Sequence, residues 1–173
     1  MSVTLTCTPG GASDNSYVSL ADAEAYFANR LNSAVNGDWT NDSAGVARTD
    51  DVKKAALITA TRRIDEEQFL GGKVTYTQAL KWPRYGVFDE DGFPFAIDSI
   101  PERVKQATYI VALELLKADF LAENYLNNYS FLSTGTMQFK QFTQQSAGRL
   151  PAEANRLLRL VMSSGLGGRI TRA

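Results

Sequence analysis

The sequence predicts a mainly α-helical fold, a small helical bundle with a β-hairpin and an extended C-terminal arm made of a short helix and a terminal strand. Three segments repeat apolar residues at helical spacing, one aromatic segment is interrupted by an acidic turn, and the C-terminal part is largely polar. We divide the chain into a helical domain with an N-terminal leader, residues 1–124, and a C-terminal extension with the arm, residues 125–173.

The first predicted helix follows a leader rich in Thr, Gly, Ser and Pro, which extends to about Asn15 and predicts a loop or a loosely ordered arm. Ser19 is a good N-cap, and Asp22 suits the positive end of a helix. The apolar residues then fall on one face: Leu20, Ala23, Phe27 and Leu31.

The second predicted helix follows a stretch, residues 32–45, whose Asn, Gly, Asp and Ser residues predict a loop. The helix begins near Thr49 and is expected to stop near Gly71 and Gly72, because glycine does not hold a helix. One stripe contains its apolar residues, Ala56, Leu57, Ala60 and Ile64.

The third predicted helix has the strongest start signal, because Ser99 and Glu102 match a capping box and Pro101 falls in the first turn. Between residues 104 and 121 apolar residues go nearly all the way round, which is too many for a surface helix. Either this helix is the centre of the domain, or one side meets the core and the other meets a neighbouring subunit. The residues in question include Tyr109, Ile110, Val111, Leu113, Leu115, Leu116 and Phe120.

The chain changes character after Asn124, where Asn, Gln and Ser predominate and helical periodicity is lost. A strand is predicted at residues 137–143. A short helix then opens at Pro151 and ends by Gly165, and the last five residues are predicted to form the terminal strand.

The composition is that of a globular protein, with 44% hydrophobic and 21% charged residues. The longest apolar run is broken by Glu114 and is much shorter than the roughly 20 residues a membrane span needs. The N-terminus lacks the pattern of a signal peptide, so we expect a cytoplasmic chain without membrane contact. The single cysteine, Cys7, is expected to be incidental.

The chain contains no histidine, which removes the commonest general base and the usual zinc ligand. No pair of carboxylates stands out as a tuned acid and base. We therefore expect no enzymatic activity, no catalytic residue, no cofactor and no metal site. The acidic run at residues 89–91 resembles the start of a calcium loop, but Phe93, Phe95 and Ile100 occupy the later ligand positions, so a solvated hairpin turn is favoured.

The two parts of the chain differ in charge. Residues 1–137 carry 12 Lys and Arg against 18 Asp and Glu, whereas residues 138–173 carry six against one. An acidic body with a basic tail indicates that the tail meets an anionic surface, such as the body of a neighbouring copy or another protein.

Trp82 and Arg84 lie at the centre of the aromatic segment, and three interpretations are open. Trp82 fills the core while Arg84 pairs with an acidic residue; or Trp82, Tyr85 and Phe88 form, with Lys81 and Arg84, a stacking platform for single-stranded nucleic acid, which the acidic surroundings oppose; or Trp82 anchors on a neighbouring subunit. Our hypothesis is that Trp82 pins the segment to the second and third helices, while a hairpin at residues 87–95 projects as a contact.

Four stretches carry a resemblance to a known family: "NSYVSLADAEAYF", "AALITATRRID", "KWPRYGVFDEDGFP" and "IPERVKQATYIVALELL". Over about residues 15–122 the chain resembles the head–tail adaptor (connector) proteins of tailed bacteriophages. Relatives of this kind are also catalogued as DnaT-like single-stranded-DNA-binding proteins. The sequence departs from a bare adaptor in its polar insertion at residues 125–148.

The resemblance implies a structural subunit that forms a homo-oligomeric ring, typically of twelve, under the portal protein. Such a ring extends the channel through which genomic double-stranded DNA passes without sequence-specific binding, and it attaches neck or tail proteins. The expected location is the virion neck, and the host cytoplasm during assembly.

The resemblance also implies roles for particular residues. The C-terminal arm would reach the portal with Leu166, Arg169, Ile170 and Arg172. From the residues themselves, we expect the contact to the next subunit or to the tail to use Trp82, Arg84, Phe88 and Phe93. The alternative function is single-stranded-DNA binding in a primosome-like replication system, which predicts salt-sensitive oligonucleotide binding and quenching of Trp82 or Trp39 fluorescence.

Overall fold

The computed structural model describes residues 2–30, 33–117, 133–134, 137–138 and 150–163 of the chain. Within these residues the fold is mainly helical, as predicted, and its five helices are α1 (Leu20–Ala28), α2 (Ser33–Thr40), α3 (Asp50–Asp65), α4 (Glu102–Lys117) and α5 (Ala152–Leu158). None of the helices in this part of the chain is long and apolar enough to cross a membrane.

Four short strands form two antiparallel pairs in the described residues. Strand β1 (Gly72–Lys73) pairs with β2 (Arg84–Tyr85), and β3 (Ser133–Thr134) pairs with β4 (Met137–Gln138). The strand predicted at residues 137–143 is therefore present at its start, and its remaining residues lie outside the described set. The predicted terminal strand lies outside it as well.

Helix α1 begins where the sequence predicts, because Ser19 is its N-cap. The Ser19 hydroxyl accepts a hydrogen bond from the Asp22 amide at 3.1 Å, which satisfies one of the free donors of the first turn. Ala23 and Phe27 are buried on one face, as predicted, and Leu31 lies outside the described residues.

Helix α2 corrects the predicted loop at residues 32–45. Asn, Gly and Asp favour a loop locally, but Trp39 on this helix is fully buried and its ring stacks on that of Phe27, with 4.5 Å between the centroids. Burying an indole stabilises by a few kcal/mol, about 2 or more, which outweighs weak helix propensity over eight residues.

Helix α3 begins at the predicted position, after Thr49, but ends at Asp65, before the predicted stop at Gly71. The difference has a tertiary cause, because the chain after α3 becomes extended and pairs with the residues after α5. The Leu70 amide donates to the Val161 carbonyl at 2.9 Å, and the Ser163 amide donates to the Gln68 carbonyl at 2.9 Å.

Helix α4 begins at Glu102, and the carbonyl of Pro101 accepts the first backbone hydrogen bonds, from Val104 and Lys105. Glu102 is thus the first helical residue and not the third. The predicted capping box of Ser99 and Glu102 is therefore wrong, whereas the predicted start of the helix is confirmed to within two residues.

Helix α4 is the centre of the domain, which is the first of the two alternatives that its apolar residues left open. It packs between α3 and α5, and nearly every side chain in its middle is covered by the chain itself. Its buried residues are Val104, Ala107, Thr108, Tyr109, Ile110, Val111, Ala112 and Leu113. Along this stretch no neighbouring subunit is needed to cover apolar surface.

Helix α5 opens at Pro151, as predicted, but ends at Leu158, well before Gly165. The following residues bend back towards α3, and residues 150–161 contribute Leu150, Ala154, Leu158 and Val161 to the core around α4. The core therefore extends into the part predicted as a separate extension. The predicted boundary near residue 124 lies outside the described residues.

The N-terminal leader has no regular secondary structure, as predicted, but it is fixed to the domain. The Val3 amide donates to Asp51 Oδ1 at 3.0 Å, the Thr6 amide donates to Asn15 Oδ1 at 2.8 Å, and Leu5 packs against the core. The prediction of a loosely ordered arm is thus corrected, because side-chain acceptors satisfy its backbone donors.

Candidate interaction surface

The segment between α3 and α4, residues 66–101, contains the aromatic residues around Trp82 and the acidic turn, and we call it the interhelical segment. Apart from β1 and β2 it has little regular secondary structure. An irregular segment of this length needs side chains to satisfy its backbone and hold its course. Those side chains are the first part of the site.

Trp82 holds the interhelical segment to the core, as one interpretation of the sequence predicted. Its side chain is 1% exposed and lies edge-on to the rings of Phe69 at 5.7 Å and Phe95 at 6.3 Å between centroids. Both ends of the segment therefore pack on one indole. A ring enclosed in this way has no face left for a base or for a partner subunit.

Arg84 is buried and organises the backbone around β1. Its Nε donates to the Leu70 carbonyl at 2.6 Å, and its Nη2 donates to the Gly71 carbonyl at 2.7 Å. A third bond runs from Nη1 to the Lys81 carbonyl at 3.2 Å. The predicted pairing of Arg84 with an acidic residue is corrected, because the guanidinium bonds are made to carbonyl oxygens. Burial lowers the pKa of Arg84 from its ordinary value.

Asp65, the last residue of α3, fixes the approach to Trp82. Its carboxylate accepts a hydrogen bond from the Tyr17 hydroxyl and two from the Lys81 amide, at 3.1 and 3.2 Å. Burial raises the pKa of Asp65, while the bonds from Tyr17 and Lys81 oppose that rise. Burial, followed by the charge of Asp65, raises the pKa of Tyr17 well above its ordinary value.

Gln78 closes the loop that connects β1 to β2. Its buried amide Nε2 donates to the carbonyls of Leu80 and Pro83, at 2.9 and 3.0 Å, while its Oε1 accepts from the Thr75 amide at 3.0 Å. One side chain thus satisfies three backbone groups. The loop is ordered by an internal hydrogen-bond network and not by packing alone.

Gly71 is required by the close approach of the two strands. Its φ is +68°, and a Cβ at this position would lie 2.1 Å from the carbonyl oxygen of Tyr85. No other residue fits this backbone without moving β2, so the position of Tyr85 depends on this glycine.

The second part of the site is a set of exposed apolar side chains on the interhelical segment, which we call its apolar surface. The described residues include eight exposed large hydrophobic side chains, and six of these belong to this one segment. They are Leu70, Tyr76, Tyr85, Phe88, Phe93 and Ile97, of which Tyr76 is 96% exposed. This concentration of exposed apolar side chains makes the segment the candidate interaction surface.

The predicted hairpin at residues 87–95 is present. Phe88 bridges Pro94, the Phe95 amide donates to the Val87 carbonyl at 2.9 Å, and the Asp89 amide donates to the Phe93 carbonyl at 2.8 Å. We call these residues the acidic hairpin. Val87 is buried at its base, whereas Phe88 and Phe93 are exposed.

The carboxylate of Asp89 shapes the turn, accepting hydrogen bonds from the amides of Asp91 and Phe93 at 3.0 and 2.8 Å. This use of Asp89 agrees with the predicted hairpin turn. In the part of the chain that the structure describes, no group of three or more His, Cys, Asp or Glu side chains is arranged to hold a metal ion.

The structure separates the four predicted contact residues into two pairs. Trp82 and Arg84 lie inside the chain, and Phe88 and Phe93 lie on the surface. The predicted portal-binding residues, Leu166, Arg169, Ile170 and Arg172, lie outside the described residues, so their role stays a prediction.

Leu70, Tyr76 and Ile97 were not predicted as surface residues. They lie in stretches without helical or strand periodicity, so no pattern marks them. A weak signal was available, since a large apolar side chain in a stretch without periodicity has no helix or strand face to bury it.

Together, the fold and the surface define a mainly helical protein that presents an ordered aromatic surface from the segment between its two longest helices. A family model described as "Putative DnaT-like ssDNA binding protein" matches residues 1–173, and the chain belongs to that family. No curated protein and no solved structure matches the sequence.

Proposed function

We propose that the chain is a structural head–tail adaptor of a tailed phage, which assembles as a ring under the portal, extends the DNA channel and attaches neck or tail proteins. Its place would be the virion neck, after assembly in the host cytoplasm. This proposal begins from the sequence resemblance, and the interhelical segment supports it.

The observation that carries the proposal is the apolar surface of the interhelical segment. Its six exposed side chains lie on a backbone fixed by Trp82 and Arg84, so little conformational entropy is lost on binding. Aromatic side chains are enriched where proteins bind one another. The three adjacent acids, residues 89–91, oppose contact with nucleic acid and favour contact with a protein.

The test replaces residues 88–94 with an Asn-Gly turn, which keeps the buried Val87 and the Phe95 ring that contacts Trp82. We expect helicity and thermal stability close to wild type, but loss of the chain from phage particles in a complementation assay. Val46→Ser removes an exposed apolar side chain outside the segment and serves as the matched control. Normal incorporation of the hairpin variant would overturn the role of this surface.

The portal contact is tested separately. Truncation after Gly165 removes the four residues expected to reach the portal and leaves α5 and the core intact. We expect the truncated chain to keep its circular dichroism spectrum and to lose co-purification with the portal. Unchanged co-purification would contradict the arm hypothesis.

The second candidate function is single-stranded-DNA binding, which the description of the family favours. Trp39 and Trp82 are both buried, so base stacking would fall to exposed rings such as Tyr76 and Tyr85, and quenching of tryptophan fluorescence is not a suitable assay. Anisotropy of a labelled oligonucleotide over a salt series is the appropriate measurement. Binding that persists at physiological salt and weakens in Tyr85→Ala would support this candidate over the adaptor.

A further inference from the structure

A groove beside α5 is lined by apolar and polar side chains and by two arginines. Ala152 and Met162 provide the apolar part, Asn155 and Ser163 the polar part, and Arg156 and Arg159 the charge. The groove is part of the ordered domain, because the Ser163 amide is bonded to Gln68 and the Asn155 side chain donates to the Leu150 carbonyl at 2.8 Å.

The two arginines are available to a partner. Both are exposed, and neither forms an ion pair with the residues that the structure describes. The one carboxylate of the groove, Glu67, is already 3.4 Å from Nη1 of Arg63. The groove therefore presents net positive charge beside a methionine, which suits a ligand that is both aromatic and acidic.

The acidic hairpin of the same sequence has this chemistry. Its exposed rings, Phe88 and Phe93, flank a turn whose Asp91 forms no ion pair within the described residues. Glu90 has only a long contact, 3.8 Å, with Nη2 of Arg103. Asp89 is used by the turn itself, so Glu90 and Asp91 are the carboxylates free to bind.

We propose that the acidic hairpin of one copy docks in the α5 groove of the next, with Glu90 and Asp91 facing Arg156 and Arg159 and the phenyl rings on Met162. Guanidinium groups pair with carboxylates and stack on aromatic rings, so one groove satisfies both features of the hairpin. The inference rests on the proposed ring, and it names the contact that would close it.

This contact joins two different surfaces, since the groove belongs to α5 and the hairpin belongs to the interhelical segment. A reciprocal exchange of hairpins between two copies would close a two-fold dimer. A contact made in one direction only is heterologous and leaves one free hairpin and one free groove on every dimer, so its repetition gives a closed ring or an open helical array. The proposed ring requires the contact in one direction.

The test uses complementary charge reversal in the full chain. One variant carries R156E and R159E, the other carries E90R and D91R, and self-association is followed by sedimentation over a concentration series that reaches the millimolar range. We expect each variant alone to associate about tenfold or more weakly than wild type, because like charges then face each other. An equimolar mixture should recover association, since each copy offers the other a matching surface.

The matched control is K54E with R62E, which changes net charge equally on α3, away from the groove and the hairpin. Equal weakening by this control, no recovery in the mixture, or a wild type that stays monomeric throughout would each overturn the proposed contact. None of these results would contradict the proposed location in the virion neck. That location is tested separately, by incorporation of the wild-type chain into particles.

Discussion

Arg84 donates from Nε to the carbonyl oxygen of Leu70 at 2.6 Å, and through this bond a buried side chain of β2 fixes the backbone that enters β1. Its Nη2 donates to the next carbonyl, that of Gly71. The planar guanidinium thus holds two successive carbonyls with donors in a fixed geometry. The exposed surface of the interhelical segment depends on this buried arrangement.

Arg84→Lys is expected to destabilise the fold although it keeps the charge. A lysine ammonium has three donors, but all of them are on one nitrogen. It therefore cannot reach the carbonyls of Leu70, Gly71 and Lys81 together as the three guanidinium nitrogens do, and at least one acceptor is left without a partner. We expect a loss of about 2 kcal/mol in the free energy of unfolding, measured with urea. Arg62→Lys on the exposed face of α3 is the control, and equal losses in both variants would contradict the account.

Gly71→Ala and Gly45→Ala separate steric overlap from backbone preference. Both glycines have positive φ, but a Cβ at Gly45 meets nothing within 4 Å, whereas one at Gly71 would lie 2.1 Å from the Tyr85 carbonyl oxygen. We expect Gly45→Ala to cost about 1 kcal/mol and Gly71→Ala clearly more. Thermal unfolding of the two variants measures the difference, and equal midpoints would show that the strands can move apart at no cost.

Trp82→Ala and Phe93→Ser should separate stability from assembly. Trp82 is buried between Phe69 and Phe95, so its removal leaves a cavity and should cost about 3–5 kcal/mol of unfolding free energy. Phe93 is exposed, and its replacement should change stability by less than about 0.5 kcal/mol while reducing incorporation into particles. A strongly destabilised Phe93→Ser variant would place that ring in the fold and not in a contact.

Tyr17→Phe is expected to alter the stability of the chain in alkali. The pKa of Tyr17 is raised in the folded state, so above the ordinary tyrosine pKa of about 10 the unfolded chain binds fewer protons than the folded one. Wild-type stability should therefore fall as the pH rises through that range, and Tyr17→Phe should fall less steeply. The pKa values of Tyr26 and Tyr109 are also raised in the folded state, so the variant should keep part of the decrease in stability with rising pH.

The same variant has an effect at neutral pH, where the hydrogen bond from Tyr17 to Asp65 is lost. We expect a decrease of about 1 kcal/mol in the free energy of unfolding, which is measured by urea titration at each pH. Tyr76→Phe removes an identical hydroxyl from a fully exposed ring and should leave neutral stability unchanged. A steeper alkaline loss in Tyr17→Phe than in wild type would refute the assignment.

Local signals in the sequence predicted the starts of the helices, because caps and first-turn residues act within a few positions. Ser19, Thr49 and Pro151 each precede a helix of the structure. Helix α2 was missed because its residues favour a loop locally, and only the packing of Trp39 against Phe27 stabilises it. The early end of α3 was missed for the same kind of reason, since its following residues pair with a part of the chain far along the sequence.

The candidate site was predictable in part. The aromatic and acidic residues of the hairpin could be located from the sequence, whereas the partners of Arg84 could not. Every residue has a backbone carbonyl, so the sequence does not indicate which carbonyls a side chain will contact. The apolar circumference of α4 indicated burial but could not say whether α5 or a second subunit provides the cover. The structure assigns the cover of residues 104–113 to α3 and α5, and among the described residues most of the exposed large hydrophobic side chains lie in the interhelical segment.

The most direct test of the central claim, the proposed adaptor role, is the composition of phage particles released from cells that carry the gene, measured by quantitative mass spectrometry after gradient purification. The account predicts that the chain is present in a fixed ratio to the portal protein and that it stays with the neck when particles are disrupted. Absence of the chain from particles, together with its recovery on single-stranded DNA in infected cells, would contradict the account.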